Sequence, residues 1–181
     1  MWRPYAEVAR ACFPKAKLVV DRFHVMKALN GVLDEVRKQL RRAHKHEQAF
    51  KRIKWALFKR RPNGSERERL AVAFSKSWLL EEVWSLRQTF AALLDQMRSA
   101  SGLARELGHW MAHAEAVESA PLKRFVGTLR RWKAEVVGFA ETRVTNAVTE
   151  GLNNYVRYFK RISFGLPSFE HMRLRILMAT A

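Results

Sequence analysis

The sequence predicts a mostly α protein, with about eight helices and a single short strand. Two patterns carry that expectation. Apolar residues recur at spacings of three and four through most of the chain, the period that puts one helical face into a core. Only Leu18-Val19-Val20 departs from it, as a short apolar run of the kind that buried strands use. A lone strand cannot make a sheet. Either its partners lie outside this polypeptide or it is not a strand.

Taken in order, Pro4 suits a first helical turn, and Tyr5, Val8, Ala9 and Cys12 keep a helical spacing up to Pro14. After the strand, a helix begins near Phe23 and carries Val25, Leu29, Val32, Val36 and Leu40 on one seam. A break is expected near His44-Lys-His46, and then a second helix holding Ile53, Trp55, Leu57 and Phe58. Arg61-Pro-Asn-Gly64 is a turn signal, and Ser65-Glu-Arg-Glu68 reads as a capping box. Helical patterning continues through 78–98, 101–114 and 121–141, with Pro121 again at a first turn. Residues 163–168 read as a connector, and Ser168 caps a final helix carrying Met172, Leu174, Ile176 and Leu177.

The 181 residues suit one domain, or one domain with an insertion, and 48% hydrophobic residues are enough to bury a core. Lys and Arg number 34 against 17 Asp and Glu, a formal net charge of +17. That excess points to a polyanionic partner, nucleic acid first and an anionic membrane surface second. No run approaches the roughly 20 apolar residues that span a bilayer, and the first residues hold no apolar signal core. The single cysteine, Cys12, excludes an internal disulfide and fits a reducing cytosol.

The positive charge is densest between Arg37 and Arg61, where eleven Lys or Arg face one acid, Glu47. Arg37, Lys38, Arg41, Arg42, Lys51, Arg52 and Lys54 are the candidate phosphate contacts, because one sign at that density repels itself without a counter-charge. The ordinary alternative is a solvated basic face. Five tryptophans, Trp55, Trp78, Trp84, Trp110 and Trp132, occur in helical segments where packing is the default role. One of them could instead stack on an unpaired base. His109 and His113 stand one turn apart, but nothing nearby completes a tetrahedral metal set.

Two further stretches carry chemistry. Asp21 closes the strand and His24 opens the following helix, so both could face a sheet edge where α/β sites lie; Asp21 also suits a helix N-cap, and the two roles are compatible. In the segment 141–161, Val148, Leu152, Tyr155, Val156 and Phe159 fall on one apolar face of a helical wheel. Asn146, Asn154, Arg157 and Arg161 lie within about 40° of Glu150 on the opposite face. Gly151, inside that helix beside the acid, costs about 1 kcal/mol relative to Ala and would let a backbone or ligand approach closely.

The stretches Phe13-Pro-Lys-Ala-Lys-Leu-Val-Val-Asp-Arg-Phe-His-Val-Met-Lys27 and Thr145-Asn-Ala-Val-Thr-Glu-Gly-Leu-Asn-Asn154 resemble bacterial insertion-sequence transposases of the ISL group. The basic, Gly-containing tail from Tyr158 to Arg175 is similar as well, so the resemblance spans nearly the whole chain. It implies a DDE-type catalytic domain of ribonuclease-H-like fold, with a helical insertion before the helix that bears the last acid. It further implies DNA as partner, strand cleavage and transfer as the activity, and two divalent ions, Mg or Mn, held by two Asp and one Glu. By this resemblance Glu150 is the third acid and a metal ligand, and Asp21, His24, Asn146 and Asn154 are its neighbours in the site. Arg157, Lys160 and Arg161 then meet DNA.

On the same basis, residues 1–22 are the last helix and strand of the core, 23–141 the helical insertion, and 142–181 the Glu-bearing helix and basic tail. The two Asp are expected upstream of Met1, together with the family's zinc-binding and helix-turn-helix segments. The expectation is thus a C-terminal fragment of a cytoplasmic, nucleoid-associated bacterial transposase, catalytically incomplete by itself. It would hold no pair of metal ions alone and could assemble with a full-length transposase or with its own copies. A stand-alone helical DNA-binding protein or repressor of the parent element is the alternative.

Overall fold

The computed structural model of the chain describes residues 3–163, 165 and 168–180. Among the described residues there are ten helices and no strand. The chain divides into two compact units, Met1–Val144 and Thr145–Ala181.

The larger unit holds α1 (Arg3–Cys12), α2 (Arg22–Ala43), α3 (Lys54–Phe58), α4 (Gly64–Ser75), α5 (Trp78–Gln96), α6 (Ala100–Ala116), α7 (Ala120–Arg131) and α8 (Lys133–Thr142). The seam expected on α2 is the one it buries: Val25, Leu29, Val32 and Val36 are all in the core. That face packs on α5 and α7, while α6 packs on α5, α7 and α8. The short α3 and α4 lead from α2 back to α5. At the junction of α5, α6 and α7, the rings of Phe90, Trp110 and Phe125 meet edge to face, with centroids 4.8 to 6.1 Å apart. Trp110 also donates its indole N–H to the Leu86 carbonyl at 2.9 Å, so its polar end is satisfied inside the core.

Several expectations are corrected. The strand at Leu18-Val19-Val20 does not form; the segment has no regular structure, and among the described residues there is no second strand for it to pair with. It lies instead along α8, where the Val20 N–H donates to the Glu135 carbonyl at 3.1 Å. Gly138 makes that approach possible, since a Cβ there would stand 3.4 Å from the Lys17 side chain and 3.5 Å from that of Val19. On α1, Ala6 is buried, whereas Val8 and Cys12 of the expected face are exposed. The predicted helix over 121–141 breaks at Trp132, giving α7 and α8. The capping box sits two residues earlier than expected: Asn63 accepts from the Glu66 N–H at 2.9 Å, and the Glu66 carboxylate accepts from the Asn63 N–H at 2.9 Å.

Arginines close the places where the backbone's own hydrogen bonds run out. Arg37, buried on α2, donates to Asp34 at 2.7 and 2.9 Å and to the Phe50 carbonyl at 3.1 Å, pinning the irregular segment before α3. Arg87 on α5 donates to Asn30 at 3.0 Å and to the Phe58 carbonyl at 2.5 Å, where α3 ends. Arg143 stands in the left-handed conformation, φ 50°, and donates to the carbonyls of Leu94 (2.6 Å), Asp95 (3.4 Å) and Met97 at the end of α5. Arg87 and Arg143 thus join a helix to a non-consecutive part of the chain, and Arg37 ties α2 to the segment that follows it.

Truncating Arg37 to Ala is expected to lower stability by about 3 kcal/mol, because Asp34 and the Phe50 carbonyl both lose a buried partner. Urea unfolding measures this directly. Burial alone would push the Asp34 carboxyl up, but hydrogen bonds from Lys38 and Arg37 outweigh it and hold it below its ordinary value of 3.8. A carboxyl depressed in the folded state stabilises above its unfolded pKa, and that contribution fades as pH falls through the folded one. The acid limb of the stability curve, below about pH 4, is therefore expected to be flatter in Asp34→Asn than in the parent chain.

Candidate nucleic-acid interface

The smaller unit is built from α9 (Ala147–Ile162) and α10 (Phe169–Thr180), which pack against each other. Thr145 starts α9 by accepting from the Ala147 N–H at 3.0 Å, and Ser168 does the same for α10 through the His171 N–H at 3.3 Å. Residues 164, 166 and 167 of the expected connector fall outside the described residues.

Glu150 is in the first turn of α9, where the helix dipole favours a carboxylate, and it is half-buried. Asn154, Arg157 and Arg161 follow it at four, seven and eleven residues, all exposed, along about 16 Å of axis. Asn146 precedes it as the N-cap residue, and Lys160 is exposed beside the stripe. The opposite face departs from expectation. No residue of α9 is buried: Val148 and Leu152 are 74% and 56% exposed, while Tyr155, Val156 and Phe159 are half-buried. Gly151 has no close neighbour either; a Cβ added there meets nothing within 4 Å.

Within the larger unit, the basic run separates into two groups. Arg37 is buried and engaged as described, Lys38 pairs with Asp34 at 3.0 Å, and Lys54 lies 3.9 Å from the same carboxylate. Arg41, Arg42, Lys51 and Arg52 are exposed around the end of α2 and the segment that follows. Asp21 is the N-cap of α2, accepting from the Phe23 N–H at 2.7 Å, and His24 is exposed with its ring edge-on to Phe23. His113 approaches Glu82 at 2.8 Å and His109 approaches Glu106 at 3.7 Å, so the two imidazoles face different acids.

Sequence reasoning missed a cluster around Asp95. Arg22 reaches its carboxylate at 2.7 Å and Arg60 also contacts it. Arg87 is pushed down from its ordinary value by burial and by the like charges of Arg22 and Arg60. Arg143 is pushed down by desolvation and by Arg98, against the opposing pull of Asp95. Five guanidiniums are thus linked in one electrostatic network, in which Asp95 contacts Arg22 and Arg60 and acts on Arg143. They come from α2, α5 and three connecting segments, so no local spacing announces them.

The DDE transposase family of the ISL3 type, described as Transposase, matches residues 1–176. The chain belongs to that family. It is also 28% identical over 187 residues to the transposase for insertion sequence element IS1001 of Bordetella parapertussis. That similarity covers 99% of this chain and 46% of the relative, so the chain spans about half the length of the curated transposase it matches. No solved structure matches. For an ISL3-type transposase the resemblance implies two divalent ions held by three carboxylates. The donors present do not fit such a centre: among the described residues no three His, Cys, Asp or Glu side chains come together. The smaller unit has only Glu150 and Glu170 as acids. No helix among the described residues is long and apolar enough to cross a membrane.

With open space at its Cβ, Gly151→Ala is expected to stabilise α9 by about 1 kcal/mol through helix propensity alone. Circular dichroism during thermal unfolding reads the gain. A loss instead would mean that something packs against that position.

Proposed function

We propose that this chain is the Glu-bearing portion of a DDE transposase that cleaves and transfers DNA strands in transposition, with Glu150 one of its catalytic carboxylates. The observation that carries this reading is the α9 stripe. A half-buried carboxylate heads it, and two amides and two guanidiniums lie along the same face. The family match over residues 1–176 supports the same assignment. The remaining carboxylates of the set are supplied from outside these residues.

DNA is the partner in this reading. Arg41, Arg42, Lys51 and Arg52 of the larger unit, and Arg157, Lys160 and Arg161 of α9, are exposed cations suited to phosphate oxygens. Arg37 is better read as structural, since its donors already serve Asp34 and Phe50. A second reading, DNA binding without strand chemistry, is supported by one observation: Met1–Val144 has a continuous core of its own.

Two experiments test the proposal. In a protein restored to the length of the IS1001 relative, Glu150→Gln is expected to abolish cleavage of element-end DNA while duplex affinity stays within a few-fold. Cleavage that survives removes Glu150 from the chemistry. For the chain itself, duplex affinity is expected to fall steeply with salt. Neutralising Arg41, Arg42, Lys51 and Arg52 to Gln should flatten the slope by about 0.9 for each phosphate that is no longer neutralised. A slope that does not change takes those four off the interface.

A further inference from the structure

Between α2 and α3 the larger unit has an open groove of about 340 Å³. Its walls are unusual for a chain of this charge. Phe23 and Phe58 contribute rings, Lys27 and Lys54 contribute ammonium groups, and Gly31 leaves the floor bare; the Asp34 carboxylate also lines it, held by Arg37 and Lys38, with Lys54 3.9 Å away and so beyond hydrogen-bond distance. Phe23 is 54% exposed and has no part in the core. A Cβ at Gly31 would meet nothing within 4 Å, so the space above this turn of a 22-residue helix is empty.

The cations are arranged around the rings. Lys27 Nζ lies 5.9 Å from the Phe23 centroid, and Lys54 Nζ lies 4.9 Å from that of Trp55 and 5.9 Å from that of Phe58. The surrounding field is positive as well. Asn30 and the Phe58 carbonyl both accept from Arg87, which stands in the like-charge field of Arg22 and Arg60. Arg22 precedes Phe23 in the chain and Arg60 follows Phe58 by two residues. Aromatic faces with flanking cations are what a single nucleotide requires: the base stacks, and the phosphate meets ammonium or guanidinium. The volume is at the small end of ligand sites, too small for a duplex and suited to one base with its sugar.

We infer that this groove holds one unpaired base of a DNA strand, with Phe23 and Phe58 as stacking surfaces and Lys27 and Lys54 meeting the adjoining phosphates. The inference rests on the reading of DNA as partner. It goes beyond that reading because it separates a bare-base site from the phosphate contacts that any duplex would make. Stacking on an exposed ring is stronger than a solvent-exposed cation over the same ring, so an entering base displaces the lysines toward phosphate.

The test uses the full chain and two DNA duplexes of equal length, one fully paired and one with a single bulged 2-aminopurine. The bulged duplex is expected to bind about ten-fold tighter, the preference that one stacked base confers. The 2-aminopurine emission should fall on binding. Phe23→Ala opens one wall and Gly31→Leu fills the floor; each is expected to remove the difference between the two duplexes. Equal affinity of the parent chain for both DNAs overturns the groove assignment and leaves the DNA reading standing. A preference that persists in both variants overturns it too. If neither duplex binds better than polyglutamate of the same charge, the DNA reading itself fails, and the groove assignment with it. A free 2-aminopurine nucleotide whose emission falls on binding, with no preference between duplexes, would assign the groove to a free nucleotide and overturn the strand assignment.

Discussion

The carboxylate of Asp34 is the contact on which the larger unit depends. It sits on the buried side of α2, takes two hydrogen bonds from Arg37, and has Lys38 and Lys54 on its other oxygen. A chain with 34 cations and 17 acids cannot give each cation its own partner. Asp34 and Asp95 therefore each gather more than one, and Arg37, Arg87 and Arg143 also turn to main-chain carbonyls. Those carbonyls are at Phe50, at the end of α3 and at the end of α5, where helical hydrogen bonding stops. The shortage of acids has in this way fixed how the irregular segments are held.

Much of the larger unit was legible in the sequence. The α2 seam from Val25 to Val36, the break after Ala43 and the N-cap role of Asp21 all follow from local periodicity and capping chemistry. What failed was tertiary. Leu18-Val19-Val20 has the composition of a strand, but composition does not supply a neighbouring strand, and the segment settled on α8 at Gly138. The helix predicted over 121–141 keeps its apolar spacing across Trp132, so periodicity gave no sign of the break. Arg61-Pro-Asn-Gly64 falls in the connection between α3 and α4, but Gly64 is already helical, and Asn63 rather than Ser65 caps the helix because the Glu66 carboxylate reaches back to its N–H.

The candidate site was legible to a different degree. One helical wheel was enough to place Glu150, Asn154, Arg157 and Arg161 on a common face, since all four belong to one regular element. Its apolar face was read correctly as apolar and wrongly as buried, because burial needs a partner surface that a single helix cannot specify. The guanidinium cluster around Asp95 was invisible for the opposite reason. Its members are distant in sequence and meet only once α2 and α5 have packed. The density of charge between Arg37 and Arg61 likewise concealed two kinds of residue, those engaged at Asp34 and those left to solvent.

The mutual proximity of Arg22, Arg60, Arg87, Arg98 and Arg143, with Asp95 as the acid among them, has a thermodynamic side. Folding brings like charges together, and the folded body stores their repulsion. Small ions relieve it, so the larger unit should hold together better as ionic strength rises, over the same range in which contacts with phosphate weaken. Folding and binding thus answer salt with opposite signs. A bound polyanion relieves both at once, supplying counter-charge that the chain itself lacks and tightening the fold by mass action.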